Sequence, residues 1–93
     1  MNFSSLHNFY ERLVFEYICD TLVQKYEACD EEFFQDVACY ALTRLPARYI
    51  RHDIDMAFYL APGERFDMQE KVAAAVNKAA EFIYSRQAKA NAG

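Results

Sequence analysis

The chain has very few of the residues on which catalytic sites usually depend. Its 93 residues include two glycines, two histidines and no tryptophan. Two glycines, Gly63 and Gly93, cannot build a Gly-rich phosphate-binding loop. A general base that works near neutral pH is usually histidine, but His7 lies near the start of the chain and His52 lies in a basic segment. We therefore expect a protein that is not an enzyme.

Cysteine is also scarce, and it is poorly placed for disulfides or metal binding. Cys19, Cys29 and Cys39 form no CxxC pair and give no pair of ligands at the spacing of about two to four residues found in zinc sites. They are more simply thiols in a reducing compartment. No run approaches the roughly 20 apolar residues of a membrane span, and the N-terminal residues lack a signal-peptide pattern. These features predict a cytoplasmic protein without a membrane span, a metal or any other required cofactor.

Apolar and aromatic residues, in contrast, are abundant. Apolar residues make up 54% of the chain, and there are eight Phe and seven Tyr. Large rings bury much area per residue, which lets one short domain build a workable core. So much apolar surface in a short chain favours burial against a second copy, and we expect a homodimer. We expect a single domain over residues 6–87, with flexible ends at residues 1–5 and 88–93.

Apolar residues that recur every three or four positions predict three long helices. These helices cover about residues 8–26, residues 30–45 and residues 68–86. The first has an unusually wide apolar arc, which suggests one contact inside the domain and another with a partner. Pro46 disfavours helical geometry at the residue before it, so we expect the second helix to end there.

Shorter signals refine this picture. Asn8 with Glu11, and Asp67 with Glu70, have the spacing of capping boxes, which mark helix starts. A proline and a glycine at positions 62 and 63 predict a turn. Between the second and third helices, residues 49–50 and 58–60 are two short runs that are able to form strands. The predicted fold class is mainly α: a small helical domain with three long helices and an extended loop or short β-ribbon between the second and third.

Positive charge is concentrated in one short segment of an acidic chain. The formal net charge is -4, and residues 11–36 contain eight acidic residues against two basic ones. The segment ALTRLPARYIRHD, residues 41–53, instead holds half of the six arginines and has no acidic residue before Asp53. These arginines are Arg44, Arg48 and Arg51. Such segregation predicts a local positive patch within a negative overall field.

The residues alone leave two interpretations of this segment open. Guanidinium groups bind phosphate bidentately and a tyrosine can stack on a nucleobase, which suits a small ligand with several negative charges. Alternatively, Arg44 and Arg48 pair with the acidic helices or cap helix carbonyls, as surface arginines commonly do. The net negative charge argues against nonspecific binding to duplex DNA, which depends on many contacts from lysine and arginine to phosphate.

The segment DVACYALTRLPARYI, residues 36–50, resembles the signature of the late-competence ComFB family. The matching positions are Asp36, Ala41, Leu42, Leu45, Pro46, Arg48, Tyr49 and Ile50. The upstream run NFYERLVFEYICDTLV is similar to the opening helix of the family, and the resemblance extends over about residues 6–85. Two positions depart from the pattern: Thr43 stands where the family commonly has Asn, and Ala47 replaces a second Pro.

The resemblance implies a small, mainly helical, dimeric and non-catalytic protein. Members of the family resemble receptors for cyclic dinucleotides, especially cyclic di-GMP. Many also carry a cysteine cluster that resembles a zinc site, but here the corresponding stretch EACDEEFFQD contains Cys29 alone, so we expect that zinc site to be absent. Arginine is a bidentate donor to phosphate and to the guanine edge. The ligand-binding residues expected on this basis are Arg44, Arg48, Tyr49, Arg51 and Asp36.

We therefore hypothesise a cytoplasmic receptor that binds a cyclic dinucleotide through residues 44–51 and relays the signal to an unidentified partner protein. The alternative is a dimeric interaction or scaffold module. In that case RLPARY is structural, with Arg48 paired to an acid and Tyr49 buried. A third hypothesis, an accessory role in DNA uptake, follows from the competence name of the family, and the net charge argues against direct DNA binding.

Overall fold

The computed structural model describes residues 1–51 and 60–92, and their fold is mainly α-helical, as predicted. In chain order, the elements are β1 (His7–Asn8), α1 (Phe9–Tyr17), a π-helical segment (Ile18–Leu22), α2 (Val23–Lys25), α3 (Glu31–Thr43), β2 (Tyr49–Ile50) and α4 (Glu64–Ala92). Because α1, the π-helical segment and α2 follow one another without a break, the described residues form three long helical units. The apolar periodicity predicted these three units.

The first helical unit begins where predicted, although the hydrogen bond at its start differs from a capping box. The Asn8 side chain accepts from the backbone N–H of Tyr10 at 3.2 Å, whereas the capping-box spacing predicts the N–H of Glu11. Farther along, Ile18–Leu22 forms a wide turn in which the Val23 N–H donates to the Ile18 carbonyl. Such π-helical turns are rare and occur frequently at functional sites.

The second helical unit, α3, ends close to the position that Pro46 predicts. Its N-cap is Asp30, whose carboxylate accepts from the Phe33 N–H at 3.1 Å and lies at the positive end of the helix dipole. The last helical residue is Thr43, and Arg44 is the C-cap. The stop before the proline is therefore confirmed, and it leaves Arg44 at the exposed end of the helix.

The short ribbon is confirmed, but its strands come from different parts of the chain. Tyr49–Ile50 pairs antiparallel with His7–Asn8, so that His7 lies opposite Ile50 and Asn8 lies opposite Tyr49. The other predicted strand, at residues 58–60, lies mostly outside the described residues. The ribbon therefore ties the chain after Pro46 to the start of α1.

The third helical unit, α4, begins one turn earlier than predicted and extends farther. Gly63 adopts a left-handed backbone with φ +81°, which confirms the predicted turn, and the helix begins at Glu64. Asp67 therefore lies inside the first turn rather than at the N-cap, and the second predicted capping box is wrong. The helix continues to Ala92, through an alanine-rich end that has high helix propensity but no large apolar residue to reveal it.

The core lies between the three helical units, with α4 in contact with both α1 and α3. The largest fully buried side chains are Phe9, Phe33, Leu22, Val14, Val37, Val72 and Val76. Rings also cluster at one end of the core, where Tyr26 lies 5.3 Å from both Phe33 and Tyr84, measured between ring centres. None of the helices formed by the described residues has the length and apolar character needed to cross a membrane.

Candidate functional site

Arg44 is oriented by a stack of aromatic rings between α3 and α4. Its guanidinium carbon lies 4.0 Å from the centre of the Tyr40 ring, and its Nη2 donates a hydrogen bond to the Tyr40 hydroxyl. The Tyr40 ring stacks on Phe82 of α4 at 4.9 Å and 24°, and Arg86 lies over Phe82 at 5.3 Å. Cation–π contacts at exposed sites are worth about 0.5–1 kcal/mol each. The stack therefore restrains the Arg44 side chain beside Pro46 while leaving it exposed.

Arg48 is held through its backbone by the ribbon and through its side chain by α4. Its N–H donates to the Asn8 side chain at 2.9 Å, and its carbonyl accepts from the Phe9 N–H at 2.8 Å. The guanidinium lies 3.1 Å from Glu64 Oε1, and the two side chains are 36% and 31% exposed. The alternative hypothesis of a structural RLPARY segment predicted this pairing of Arg48 with an acid, and that part of it is confirmed.

Tyr49 lies on the outer side of the short strand, whereas Ile50 enters the core. Tyr49 is 68% exposed and Ile50 is 3% exposed, as the alternation of side chains along a strand requires. Arg51 is also exposed. The structural hypothesis predicted a buried Tyr49, and that part of it is wrong. An exposed tyrosine ring leaves a face on which a nucleobase can stack.

Asp36 does not come together with the arginines. It lies on the exposed surface of α3, eight residues before Arg44, which corresponds to about 12 Å along a helix axis. It lines neither of the two grooves beside Pro46. A ligand-binding role for Asp36 therefore stays a prediction from the family resemblance.

The end of α3 and the middle of α4 enclose a groove of about 370 Å³, which we call the basic groove. Three cationic side chains line it, Arg44 from α3 and Lys71 and Lys78 from α4. The remaining lining residues are Leu45, Pro46, Ala74 and Ala75. No carboxylate from residues 1–51 or 60–92 lines this groove, so its charge is uniformly positive within that part of the chain.

Lys71 and Lys78 are the residues that sequence reasoning missed. They lie seven positions apart with Ala74 and Ala75 between them, so all four lie along one face of α4. The signal is present in KVAAAVNK, but charged residues seven apart are common on solvated helix faces. Nothing in the sequence shows that this face of α4 meets Pro46.

A second groove of about 310 Å³ adjoins the basic groove at Pro46 and Lys71, but it has mixed charge. Arg48 lines it together with Glu64 and Asp67. Tyr10 forms part of its wall, and burial, followed by the nearby Glu64 carboxylate, raises the pKa of the Tyr10 hydroxyl while Arg48 partly offsets this shift. Because carboxylates face Arg48 here, this groove is less suited to an anion than the basic groove.

The basic groove has the chemistry of a phosphate site. Arg44 can donate two parallel hydrogen bonds to a phosphate, and the two lysines add flexible point charges. Small apolar side chains between the cations allow a ligand to approach the helix backbone closely. For a metal the outcome differs: the described residues contain no group of three His, Cys, Asp or Glu side chains that could hold an ion. They therefore do not fit the zinc site that the resemblance implies for many family members.

Comparison with known proteins gives one match. A family model described as Late competence development protein ComFB matches residues 7–87. No curated protein and no solved structure matches the chain. The matched residues include the ribbon, the RLPARY segment and all the residues that line the basic groove. Because the match covers nearly the whole chain, this protein belongs to the late competence development protein ComFB family.

Proposed function

We propose that this protein is a non-catalytic receptor for a cyclic dinucleotide, with cyclic di-GMP as the expected ligand. On binding the ligand, it relays the signal to a partner protein. The observation that carries the proposal is the basic groove, where Arg44, Lys71 and Lys78 converge around small apolar residues. Membership of the ComFB family supports the proposal, because the resemblance to this family implies a cyclic-dinucleotide ligand. In this proposal the main phosphate contacts come from Arg44 together with Lys71 and Lys78 of α4, rather than from residues 44–51 alone.

The ligand chemistry fits the surroundings of the groove. A cyclic dinucleotide has two phosphates and two purine faces, so it needs cations and stacking surfaces close together. Arg44 and Lys71 supply charge, and the exposed ring of Tyr49 lies on the chain that continues from Pro46. Arg48 already pairs with Glu64, so in this proposal its backbone shapes the segment and its side chain is secondary to Arg44. Arg51, which is exposed and follows the strand directly, is a further candidate for the second phosphate.

The position of the groove supports a relay. A ligand that bridges Arg44 with Lys71 or Lys78 joins the end of α3 to the middle of α4. Such a ligand stabilises one packing arrangement of the two helices over others by the difference in its affinity for them. The surface offered to a partner protein would change with that packing.

A second candidate function is a dimeric interaction module with no small ligand, and two observations favour it. The Arg48–Glu64 ion pair gives the RLPARY segment a structural role. On the first helical unit, Phe15, Cys19 and Val23 follow at four-residue steps and are all exposed, with Phe15 at 51% and Val23 at 39%. A stripe of this kind is what the wide apolar arc predicted for contact with a second copy.

Calorimetric titration with cyclic di-GMP, cyclic di-AMP and GTP tests the receptor proposal. We expect binding heat with cyclic di-GMP at micromolar protein, and an affinity about tenfold lower for Lys71→Ala or Lys78→Ala. Each lysine contributes a solvated, charge-assisted contact at the low end of the range of about 1.5–3 kcal/mol, and 1.4 kcal/mol is a factor of ten.

Lys25→Ala is the matched control, because Lys25 is an exposed lysine at the end of α2, outside the basic groove. It should bind like the wild type. Absence of heat with all three nucleotides would refute the receptor proposal. An equal loss in Lys25→Ala would mean that general charge attraction, and not the basic groove, binds the nucleotide.

A further inference from the structure

A third groove lies on the other side of α4, between this helix and the first helical unit. Its volume is about 320 Å³. Carboxylates from both helices line it: Glu16 from α1, Asp20 from the π-helical segment and Glu70 from α4. We call it the acidic groove. No lysine or arginine from the described part of the chain lines it.

The floor of the acidic groove is apolar and firmly held. Leu13 and Val72, each 2% exposed, belong to the core and form its base. Tyr17 lies beside them, and its hydroxyl accepts a hydrogen bond from the Asn77 side chain at 2.9 Å, which fixes the ring against α4. A fixed, partly apolar floor allows a docked side chain to bury surface without first ordering the groove.

An aromatic ring stands in this groove without being covered. Phe66, in the first turn of α4, is 62% exposed and lines the groove. Exposed aromatic residues next to charged rims are a common feature of protein-binding sites, because the ring supplies buried area and the rim supplies specificity. Phe66 plays no part in the basic groove, so the proposed nucleotide site does not explain its exposure.

The local backbone also distinguishes this groove. Asp20 and Thr21, which line it, belong to the π-helical segment. The wider turn changes the angular spacing of the side chains, and turns of this kind occur frequently at functional sites. A cation does pair with one of these carboxylates: Arg12 lies 3.0 Å from Glu16, with both side chains about half exposed. This exposed pair is weak, so Asp20 and Glu70 keep the groove negative.

From this combination we infer that the acidic groove docks a basic, amphipathic segment of a partner protein, with one apolar or aromatic anchor flanked by lysine or arginine. The anchor contacts Phe66 and the apolar floor, and the flanking cations face Glu16, Asp20 and Glu70. Charge complementarity selects this partner, because the phosphates of nucleic acids and anionic membranes are repelled by the same carboxylates. The inference depends on the acidic groove alone and stands whether or not the basic groove binds a nucleotide.

Fluorescence anisotropy with a designed probe tests the inference. The probe is a short fluorescein-labelled peptide with a central Leu-Phe pair and two lysines on each side. A companion peptide carries Ala-Ala in place of Leu-Phe and keeps the same charge. We expect the full chain to bind the first peptide, to bind the companion at least tenfold more weakly, and to lose affinity as salt is raised.

Variants then locate the binding surface. Phe66→Ala removes the exposed ring, and Glu70→Lys reverses one rim charge; each should weaken peptide binding about tenfold. Glu81→Lys is the matched control, because Glu81 is also an exposed glutamate of α4 but does not line the acidic groove. It makes the same change in net charge and should leave the affinity unchanged.

Three outcomes would overturn the inference. One is that neither peptide binds. Another is that Glu81→Lys loses as much affinity as Glu70→Lys, which would reduce the effect to net charge. The third is that a second copy of this chain occupies the groove. In that case Glu70→Lys or Phe66→Ala would lower the molecular mass measured by sedimentation equilibrium. The groove would then be a contact between copies and not a docking site for a basic partner.

Discussion

The two sides of α4 carry opposite charge, and the change occurs between adjacent residues. Glu70 lines the acidic groove beside α1, and Lys71 lines the basic groove beside the end of α3. Successive residues lie about 100° apart around a helix, so a single helix presents opposite charges to its two neighbours. The net charge of -4 conceals this separation, and only the packing of α4 between the other helices turns it into two distinct sites.

The two grooves also differ in how their walls are built. Both walls of the acidic groove are helices that are anchored in the core through Leu13 and Val72. The basic groove has a helix on one side and, on the other, the end of α3 and Pro46. Beyond Pro46 the chain is held by the short ribbon and by the Asn8 side chain. Packing therefore fixes the acidic groove, whereas the segment that continues from the basic groove and carries Tyr49 depends on a few hydrogen bonds.

Among the variants proposed below, Asn8→Ala should lower the free energy of unfolding most and should separate the two grooves most clearly. The Asn8 side chain accepts both from the Tyr10 N–H, at the start of α1, and from the Arg48 N–H. Its removal deletes a helix cap and leaves the part-buried Arg48 N–H without this acceptor. We expect the free energy of unfolding to fall by about 2 to 3 kcal/mol, measured by urea denaturation.

Asn8→Asp is the control, because a carboxylate can accept both hydrogen bonds and also suits the positive end of the helix. Its stability should stay near that of the wild type. Cyclic di-GMP binding should weaken in Asn8→Ala, while binding of the basic peptide should not change. An equal loss of both ligands, measured where each variant is fully folded, would show that the segment after Pro46 has no specific part in nucleotide binding.

A smaller effect is expected for Arg48→Ala. The side chains of Arg48 and Glu64 are about one-third exposed, so solvent screens their ion pair, but the paired oxygen, Glu64 Oε1, is itself buried. Loss of the pair should therefore cost about 1 to 2 kcal/mol of unfolding free energy, measured by urea denaturation. Cyclic di-GMP binding should persist, because Arg44 and α4 supply the main contacts in the proposal.

This variant also separates the two candidate functions. If Arg48→Ala unfolds the chain, RLPARY is chiefly structural, and the interaction module becomes the better account. Glu64→Gln provides the matched test, because it removes the same ion pair from the other side. If both variants lose a similar small amount of unfolding free energy, the loss comes from the ion pair itself, and the receptor proposal stands.

Local rules were sufficient to predict most of the fold. Apolar periodicity predicted all three helical units, and Pro46 predicted the end of α3 because a proline restricts the residue before it. The early start of α4 was missed because Glu64 and Asp67 are polar, so periodicity detected only the residues from about Met68 onward. Likewise, β1 is two residues long and polar, and no period can be detected in HN.

The candidate site was predictable only in part, because its residues come from distant parts of the chain. Arg44 and Pro46 could be identified from the sequence as parts of one basic segment at the end of the second helix. Lys71 and Lys78 could not, because their relation to Pro46 follows from how α4 packs on α3. The same limit applies to Arg48, whose partner Glu64 lies beyond the predicted ribbon and is fixed by the start of α4. Contacts between segments distant in the chain depend on tertiary packing, which local patterns do not encode.

The most direct test of the charge separation across α4 is a crossed measurement on its two adjacent residues. Lys71→Glu and Glu70→Lys are each titrated with cyclic di-GMP by calorimetry and with the basic peptide by anisotropy. We predict that Lys71→Glu loses at least tenfold in affinity for the dinucleotide and keeps its affinity for the peptide, and that Glu70→Lys does the reverse. If both variants change both affinities in proportion to net charge, the two grooves are not separate sites and the account is contradicted.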